Sequence, residues 1–143
     1  MPHRTLKSIV DRQALVHASA GETVAEAVRR MQQNHVGCAL VLDGDELKGI
    51  FTGSNLVGRV IDKGRDPNAV TVGEVMSPNP VCLPCSSLGF DAVRQMREYG
   101  IRHVVVVRAD DGFGVVSIHD FPDEELDGYE EEMAFEKQLW EEM

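Results

Sequence analysis

Two stretches of the sequence place a hydroxyl residue three positions before a residue whose side chain accepts hydrogen bonds. Ser117 precedes Asp120 in one stretch, and Thr52 precedes Asn55 in the other. Each pair follows an apolar run typical of a strand and stands where a helix would begin. Because a helix start favours an anion, the hydroxyl could donate to a phosphate while the carboxylate accepts from two sugar hydroxyls. The same spacing also caps helices, so capping is the alternative role of both pairs.

A second candidate is the pair Cys82 and Cys85, a C-x-x-C motif that could act as a redox pair or as half of a metal site. The sequence has no second C-x-x-C, and a zinc site would need Cys38 or a histidine nearby. We therefore interpret the pair as a chance occurrence and keep thiol or metal chemistry as a minor alternative. No H-E-x-x-H motif, Walker-type loop or patterned nucleophile is visible. We expect a protein that is not an enzyme and requires no cofactor or metal.

The elements that position these residues occur in two copies. Residues 21–56 align without a gap on residues 86–121, a shift of 65 positions from 21 to 86. The identical pairs include Ala27 with Ala92, Val28 with Val93, Arg29 with Arg94, Met31 with Met96 and Gly49 with Gly114. A unit this short cannot bury its own apolar face, so the two copies should pack on each other.

Apolar patterning predicts the order β-α-β-β-α in each copy. The strands are predicted at 15–18, 38–42 and 47–52 in copy one, and at 80–83, 103–107 and 113–117 in copy two. In copy one, Thr23 is the predicted cap of an amphipathic helix. In copy two, Ser86 or Ser87 is the predicted cap, and Gly100 is predicted to end the helix.

The charge divides the chain into a body and a tail. The formal net charge is −10, but residues 122–143 hold one lysine and ten acidic residues, while the preceding residues are nearly neutral. An acidic chain without a basic run predicts no nucleic-acid partner. No apolar run is long enough for a membrane span or typical of a secretion signal, so we expect a cytoplasmic protein without a membrane contact.

The sequence resembles a tandem pair of cystathionine β-synthase (CBS) domains, the Bateman module. The resemblance covers roughly residues 5–121 and rests on ETVAEAVRRM, VGCALVLDGDELKGIFTGSNL, EVMSPNPVCL, DAVRQMREYGIRHVVVV and GVVSIHDF. It implies an α+β fold of α/β type, in which two β-α-β-β-α repeats pack by their sheets about a pseudo-two-fold axis, followed by an acidic helix. It also implies a stand-alone regulatory module that forms a homodimer. The predicted domains are repeat 1 at 1–61 with its N-terminal segment, a linker at 62–79, repeat 2 at 80–121 and the tail at 122–143.

The resemblance further implies an adenosine-type ligand (AMP, ADP, ATP or S-adenosylmethionine) bound mainly by copy two. Asp120 would accept from the ribose hydroxyls, and Ser117 would donate to a phosphate. The other residues implied to bind the ligand are Val81 and Leu83 through their backbone, Ile101 against the base, and Arg102, His103 and His119 toward phosphates.

Copy one departs from this pattern, which predicts a weakened second site at Thr52 and Asn55. An amide lacks the charge that strengthens hydrogen bonds to sugar hydroxyls. Gly37 and Cys38 stand where copy two has its Arg-His pair. Both sites could instead be vestigial, leaving a module that only dimerises.

The acidic tail predicts an amphipathic helix with one apolar seam. The seam consists of Leu126, Tyr129, Met133, Trp140 and Met143. Tyr129, Met133 and Trp140 are predicted to dock on the other protomer or on an unidentified client protein. A ligand-free interaction scaffold acting through this tail is therefore the alternative to a nucleotide sensor.

Overall fold

The computed structural model describes residues 3–143, which form two compact units. The first-copy unit comprises residues 14–80, and the second-copy unit comprises residues 81–143 together with residues 3–13. In chain order the elements are α1 (Leu6–Val10), β1 (His17–Ala18), α2 (Val24–Gln33), β2 (Cys38–Asp43), β3 (Glu46–Thr52), α3 (Gly53–Asn55) with a π-helical continuation (Leu56–Ile61), α4 (Val72–Val75), β4 (Ser77–Pro78), β5 (Cys82–Pro84), α5 (Gly89–Tyr99), β6 (His103–Val107), β7 (Phe113–Ser117), a 3₁₀ turn (Ile118–Asp120) and α6 (Asp123–Glu142).

The first-copy unit contains a sheet with the strand order β1-β2-β3-β4. β1 runs parallel to β2, while β3 runs antiparallel to both β2 and β4. Residues 38–41 of β2 are all buried, as expected for a continuous apolar run covered on both faces. α2 begins at the predicted cap, where Thr23 Oγ1 accepts from Glu26 N at 3.2 Å. Its stripe of Val24, Ala27 and Met31 is buried in the core of the unit.

The second-copy unit contains a sheet with the order β5-β6-β7, in which β5-β6 is parallel and β6-β7 antiparallel. α5 ends at Gly100 as predicted, with φ +62°. The predicted cap is corrected, because Leu88 and neither Ser86 nor Ser87 precedes the helix. The Asp91 carboxylate forms the reciprocal half of a capping box, since Leu88 N donates to Asp91 Oδ2 at 2.9 Å. The predicted α+β class is confirmed, with a small sheet in each repeat and a C-terminal helix.

The N-terminal segment belongs to a different unit from the one expected. The sequence grouped it with repeat 1, whereas α1 packs in the second-copy unit. Leu6 and Val10 are fully buried there, and Leu6 N donates to Ser87 O at 2.8 Å. The physical reason is that α1 covers apolar surface that residues 81–143 leave exposed by themselves.

Residues 62–79, expected to be a linker, are largely structured within the first-copy unit. α4 lies within this segment, and its Val72 and Val75 are buried. β4 adds a strand beside β3 through the pairs Gly49–Pro78 and Ile50–Ser77. This segment therefore completes the first-copy unit.

The apolar seam of α6 is divided between its two halves. Tyr129 is 3% exposed and packs in the core of the second-copy unit together with partly buried Leu126 and Met133. Trp140 and Met143 are 75% and 94% exposed. The expectation that Tyr129 and Met133 dock on another molecule is corrected, because their own unit already buries them. Among residues 3–143, no helix combines the length and the apolar character needed to cross a bilayer.

Candidate functional site

The Ser117–Asp120 pair lies where β7 passes into the 3₁₀ turn. Ser117 N donates to Asp120 Oδ2 at 2.7 Å, and His119 N donates to Ser117 Oγ at 3.2 Å. The pair therefore caps the turn. Because a carboxylate has two oxygens and a hydroxyl that accepts can still donate its proton, capping leaves groups of both side chains for a ligand.

The two residues before and at the start of β6 lie beside this turn. His103 stands opposite Ser117 in the register of β6 and β7, and Ile118 N donates to Arg102 O at 2.9 Å. Burial lowers the pKa of His103; nearby His119 and Arg102 lower it further, while Asp120 acts in the opposite direction. The structure thus brings together Ser117, Asp120 and three basic residues that the sequence places in two separate segments.

The three apolar residues implied to contact a base also lie in the second-copy unit. The side chains of Val81, Leu83 and Ile101 are partly buried against its core. Val81 O accepts from Val105 N at 2.9 Å, so this carbonyl is already used within the sheet. Leu83 pairs with Val106 in the parallel ladder of β5 and β6. The Val81 carbonyl therefore has only its second lone pair left for a ligand.

The matching pair in copy one forms a complete capping box inside the first-copy unit. Thr52 N donates to Asn55 Oδ1 at 3.0 Å, and Asn55 N donates to Thr52 Oγ1 at 3.3 Å. Asn55 is only 6% exposed, and its Nδ2 donates to Ser77 Oγ at 3.3 Å. Gly37 O accepts from Gly53 N at 3.3 Å at the position that Arg102 occupies in copy two. The amide is engaged on both ends, so it offers less to a ligand than Asp120 does.

Sequence reasoning missed Arg4, which contacts the candidate site. Arg4 Nη2 donates to the main-chain carbonyl of Asp120 at 2.9 Å and to Glu125 Oε2 at 2.9 Å. Its guanidinium also lies over the Phe121 ring, 5.5 Å from the centroid. No sequence signal links these residues, because Arg4 and Asp120 are separated by 116 positions and occur outside any shared motif.

The Cys82–Cys85 pair stands on and just after β5. Burial raises the pKa of Cys82, which disfavours the thiolate that redox chemistry and metal binding need. Cys85 N donates to Val107 O at 2.9 Å, and its carbonyl accepts from Lys7 N at 3.0 Å. Within residues 3–143, no three His, Cys, Asp or Glu side chains are grouped so that they could hold a metal ion. The interpretation of the pair as a chance motif stays a prediction.

Comparison with known proteins identifies relatives of the repeat. The CBS domain family model matches residues 6–62 and 72–123. The CBS domain-containing protein CBSCBSPB2 of Arabidopsis thaliana is 35% identical over 105 residues, which are 73% of this chain and 19% of that protein. The uncharacterized protein MK0525 of Methanopyrus kandleri is 30% identical over 114 residues, which are 78% of this chain and 58% of that protein. The chain therefore spans about a fifth of the plant relative and little more than half of the archaeal one.

Solved structures share the fold. A putative signal-transduction protein with CBS domains from Burkholderia ambifaria superposes with a TM-score of 0.75 at 25% identity, over 81% of this chain and 89% of that one. The CBS domain protein PAE2072 from Pyrobaculum aerophilum, complexed with AMP, superposes with a TM-score of 0.76 at 21% identity, over 87% and 97% of the two chains. At 21% identity the second likeness concerns the fold alone. The internal repeat, the two matched segments and these neighbours show that the chain belongs to the CBS domain family and carries a tandem CBS pair.

Proposed function

We propose that the chain is a non-catalytic regulatory module that binds an adenosine-type nucleotide (AMP, ADP, ATP or S-adenosylmethionine) in the second-copy unit. The observation that carries this proposal is the cluster of Ser117, Asp120, Arg102, His103 and His119 around one strand end. The AMP complex of the Pyrobaculum aerophilum protein supports the ligand class.

Four members of the cluster have roles suited to their chemistry. Asp120 accepts from ribose hydroxyls, since a carboxylate oxygen forms charge-assisted hydrogen bonds. Ser117 donates its hydroxyl proton to a phosphate oxygen. The side chains of Arg102 and His119 are exposed and provide donors to the same phosphate. The Thr52–Asn55 pair binds the nucleotide weakly or not at all, because its amide is buried and engaged.

The ligand acts on a partner by changing the population of two states. A ligand shifts such an equilibrium only if it binds one state more tightly. As part of this proposal, the chain forms a cytoplasmic homodimer whose packing or conformation responds to the nucleotide. An unidentified client protein senses that change.

The test is a calorimetric titration of the full chain with AMP, ADP, ATP and S-adenosylmethionine. Asp120→Asn is the informative variant, because Asn55 shows that an amide at this position keeps the capping bond. Losing a charged partner should weaken binding of the preferred ligand by about tenfold. The thermal midpoint should stay unchanged.

Asp110→Asn is the matched control, since it removes the same charge at the other end of the β6-β7 hairpin. Asp110 Oδ1 accepts from Gly112 N at 2.9 Å, a bond that an amide also keeps. This control should bind like the wild type. Full affinity in Asp120→Asn would exclude the assigned site, and absence of binding by the wild type to all four ligands would exclude the proposed function.

A second candidate function is protein interaction through the end of α6. Phe135, Leu139, Trp140 and Met143 are all exposed there. Removal of residues 134–143 leaves Tyr129 and Met133 in the core, so the unit should remain folded. If the end of α6 forms an interface between copies, this truncation lowers the number of chains per particle, as measured by light scattering. An unchanged number of chains per particle would reject self-association through this end.

A further inference from the structure

Arg4 joins the candidate ligand site to α6 through one guanidinium group. Nη2 donates to Asp120 O and to Glu125 Oε2, both at 2.9 Å, while Nε donates to Glu125 Oε1 at 3.1 Å. Asp120 belongs to the 3₁₀ turn, and Glu125 belongs to the first turn of α6. A planar guanidinium can serve a carboxylate bidentately and still reach a carbonyl, which an ammonium group cannot do with the same geometry.

Glu125 is in turn fixed to the core of the unit by Tyr129. Tyr129 Oη donates to Glu125 Oε1 at 2.6 Å, and the ring lies 5.4 Å from Phe90 and 6.0 Å from Phe121 between centroids. Partial burial alone would raise the pKa of Glu125, but hydrogen bonds from Arg4 and Tyr129 lower it. The carboxylate therefore stays ionised and keeps its bond to Arg4.

Two further ion pairs join α6 to α5 rather than to the candidate site. Arg97 Nε lies 2.5 Å from Glu130 Oε1, and Arg94 Nη2 lies 2.8 Å from Glu136 Oε2. Both arginines are on α5, and both pairs are substantially exposed. Exposed pairs of this kind contribute little to stability, and both lead from α6 to α5.

We propose that Arg4 is a positioning residue that couples the Asp120 turn to α6, so that α6 is the element through which the second-copy site signals. When α6 is docked, Arg4 holds the Asp120 carbonyl and orders the turn. When α6 undocks, Arg4 loses Glu125 and no longer holds that carbonyl in place.

A ligand that binds only the ordered turn therefore favours the docked helix. By reciprocity, a docked helix favours the ligand to the same extent. The ligand half of this coupling rests on the proposed nucleotide site. The mechanical connection between the turn and the helix does not.

Amide hydrogen exchange on the full chain without ligand tests that connection. Arg4→Gln should accelerate amide exchange by about fivefold or more in both 117–121 and 123–133. A factor of about five corresponds to the lower end of typical coupling between two sites. Arg97→Gln removes the same charge from a pair with α6 and should accelerate exchange in α6 alone. Acceleration confined to one segment in Arg4→Gln would overturn the coupling.

Arg4→Lys separates geometry from charge. Lysine keeps the charge but lacks the planar fork that binds both carboxylate oxygens and the carbonyl at once, so both segments should still exchange faster than in the wild type. Wild-type exchange in Arg4→Lys would show that charge suffices and would overturn the positioning role.

An AMP titration with exchange readout tests the ligand half. AMP should slow exchange of 123–133 in the wild type, and its affinity should fall by about fivefold in Arg4→Gln but not in Arg97→Gln. Equal AMP affinity in the wild type and in Arg4→Gln would overturn the coupling. If the wild type binds no nucleotide, the proposed function fails, and the ligand-free exchange measurements alone decide whether Arg4 couples the turn to α6.

Discussion

The two units cover the same sheet position with different parts of the chain. In the first-copy unit, the main chain of β4 pairs with Ile50 and Gly49 on β3. In the second-copy unit, the corresponding β7 position is Val115, and the side-chain amide of Gln13 replaces the strand. Gln13 Nε2 donates to Val115 O, and Gln13 Oε1 accepts from Val115 N at 2.9 Å. One side chain therefore satisfies the edge groups that a short strand satisfies in the other unit.

A short helix precedes each of these edge partners in the chain. In both units an arginine donates to main-chain carbonyl oxygen at the end of that helix. Arg59 Nη1 donates to Val75 O at 3.0 Å and to Met76 O at 2.8 Å after α4. Arg108 Nη1 donates to Val10 O at 3.2 Å after α1. The two arginines do not correspond in the repeat, so the same need is met from different positions. The difference teaches that each unit needs a covering helix and an edge partner, which can come from either side of the repeat in the chain.

Leu6→Ala should cause the largest loss of stability, and it tests whether α1 covers the second-copy unit. Leu6 is fully buried in α1, and replacing a buried leucine with alanine costs about 3 kcal/mol. Denaturant unfolding should show this loss, and hydrogen exchange should show lower protection in β5-β7 than in β1-β3. Val75→Ala in α4 is the matched control and should lower protection in the first-copy unit. Loss of protection in β1-β3 after Leu6→Ala would contradict the assignment of α1 to the second-copy unit.

Gly49→Ala should have the next largest effect, because the covering segment lies directly on the glycine. A Cβ at Gly49 would stand 2.6 Å from Ser77 O, a main-chain atom that cannot move without disturbing β4. Overpacking of this kind costs about 2 kcal/mol in denaturant unfolding. A Cβ at the matching Gly114 would stand 2.8 Å from Val10 Cβ, so Gly114→Ala should also destabilise. A neutral result in both variants would show that neither covering segment is held tightly.

The sequence predicts the repeated elements well, but not how each repeat is covered. Continuous apolar runs, the Thr23 cap and the Gly100 stop depend on neighbours in the chain, which the sequence displays. Gly49 and Gly114 match in the repeat, but only the structure shows which atoms approach them. The partner of β7 is a side chain 102 positions away, and no local pattern encodes such a contact.

The two hydroxyl pairs differ in burial although their capping geometry is alike. Asn55 is buried and donates to Ser77, while Asp120 is half-buried beside Arg102, His103 and His119. The sequence identified both pairs and the loss of charge in copy one. It could not show that Asn55 is part of a polar network closed by β4, or that Arg4 supports Asp120, because both contacts join distant segments.

Asn55→Asp tests this difference in burial and should cause an intermediate loss of stability. The new carboxylate would keep the cap but would be charged in a buried place, which should destabilise the first-copy unit by about 1 to 2 kcal/mol at pH 7. Asp120→Asn makes the opposite change in a more open place and should leave stability nearly unchanged. Chemical denaturation of the two variants checks both expectations. Equal destabilisation by both would show that burial does not distinguish the pairs.

His103 gives the smallest effect, and its sign follows from burial. Because burial, His119 and Arg102 lower its pKa below the ordinary value of about 6.5, the folded chain holds fewer protons on this residue than the unfolded chain in the window just below that value. The free energy of unfolding should therefore decrease as pH falls through this window. Above about pH 7, His103 should contribute little to its pH dependence. His103→Gln should remove that part of the pH dependence. His17→Gln, at the exposed position of β1 in the first-copy unit, is the control and should leave that part of the pH dependence intact. Copy one has Cys38 at the matching position, so His103 distinguishes the two strand ends. If the pH dependence survives in His103→Gln, it arises from other groups and not from this difference between the copies.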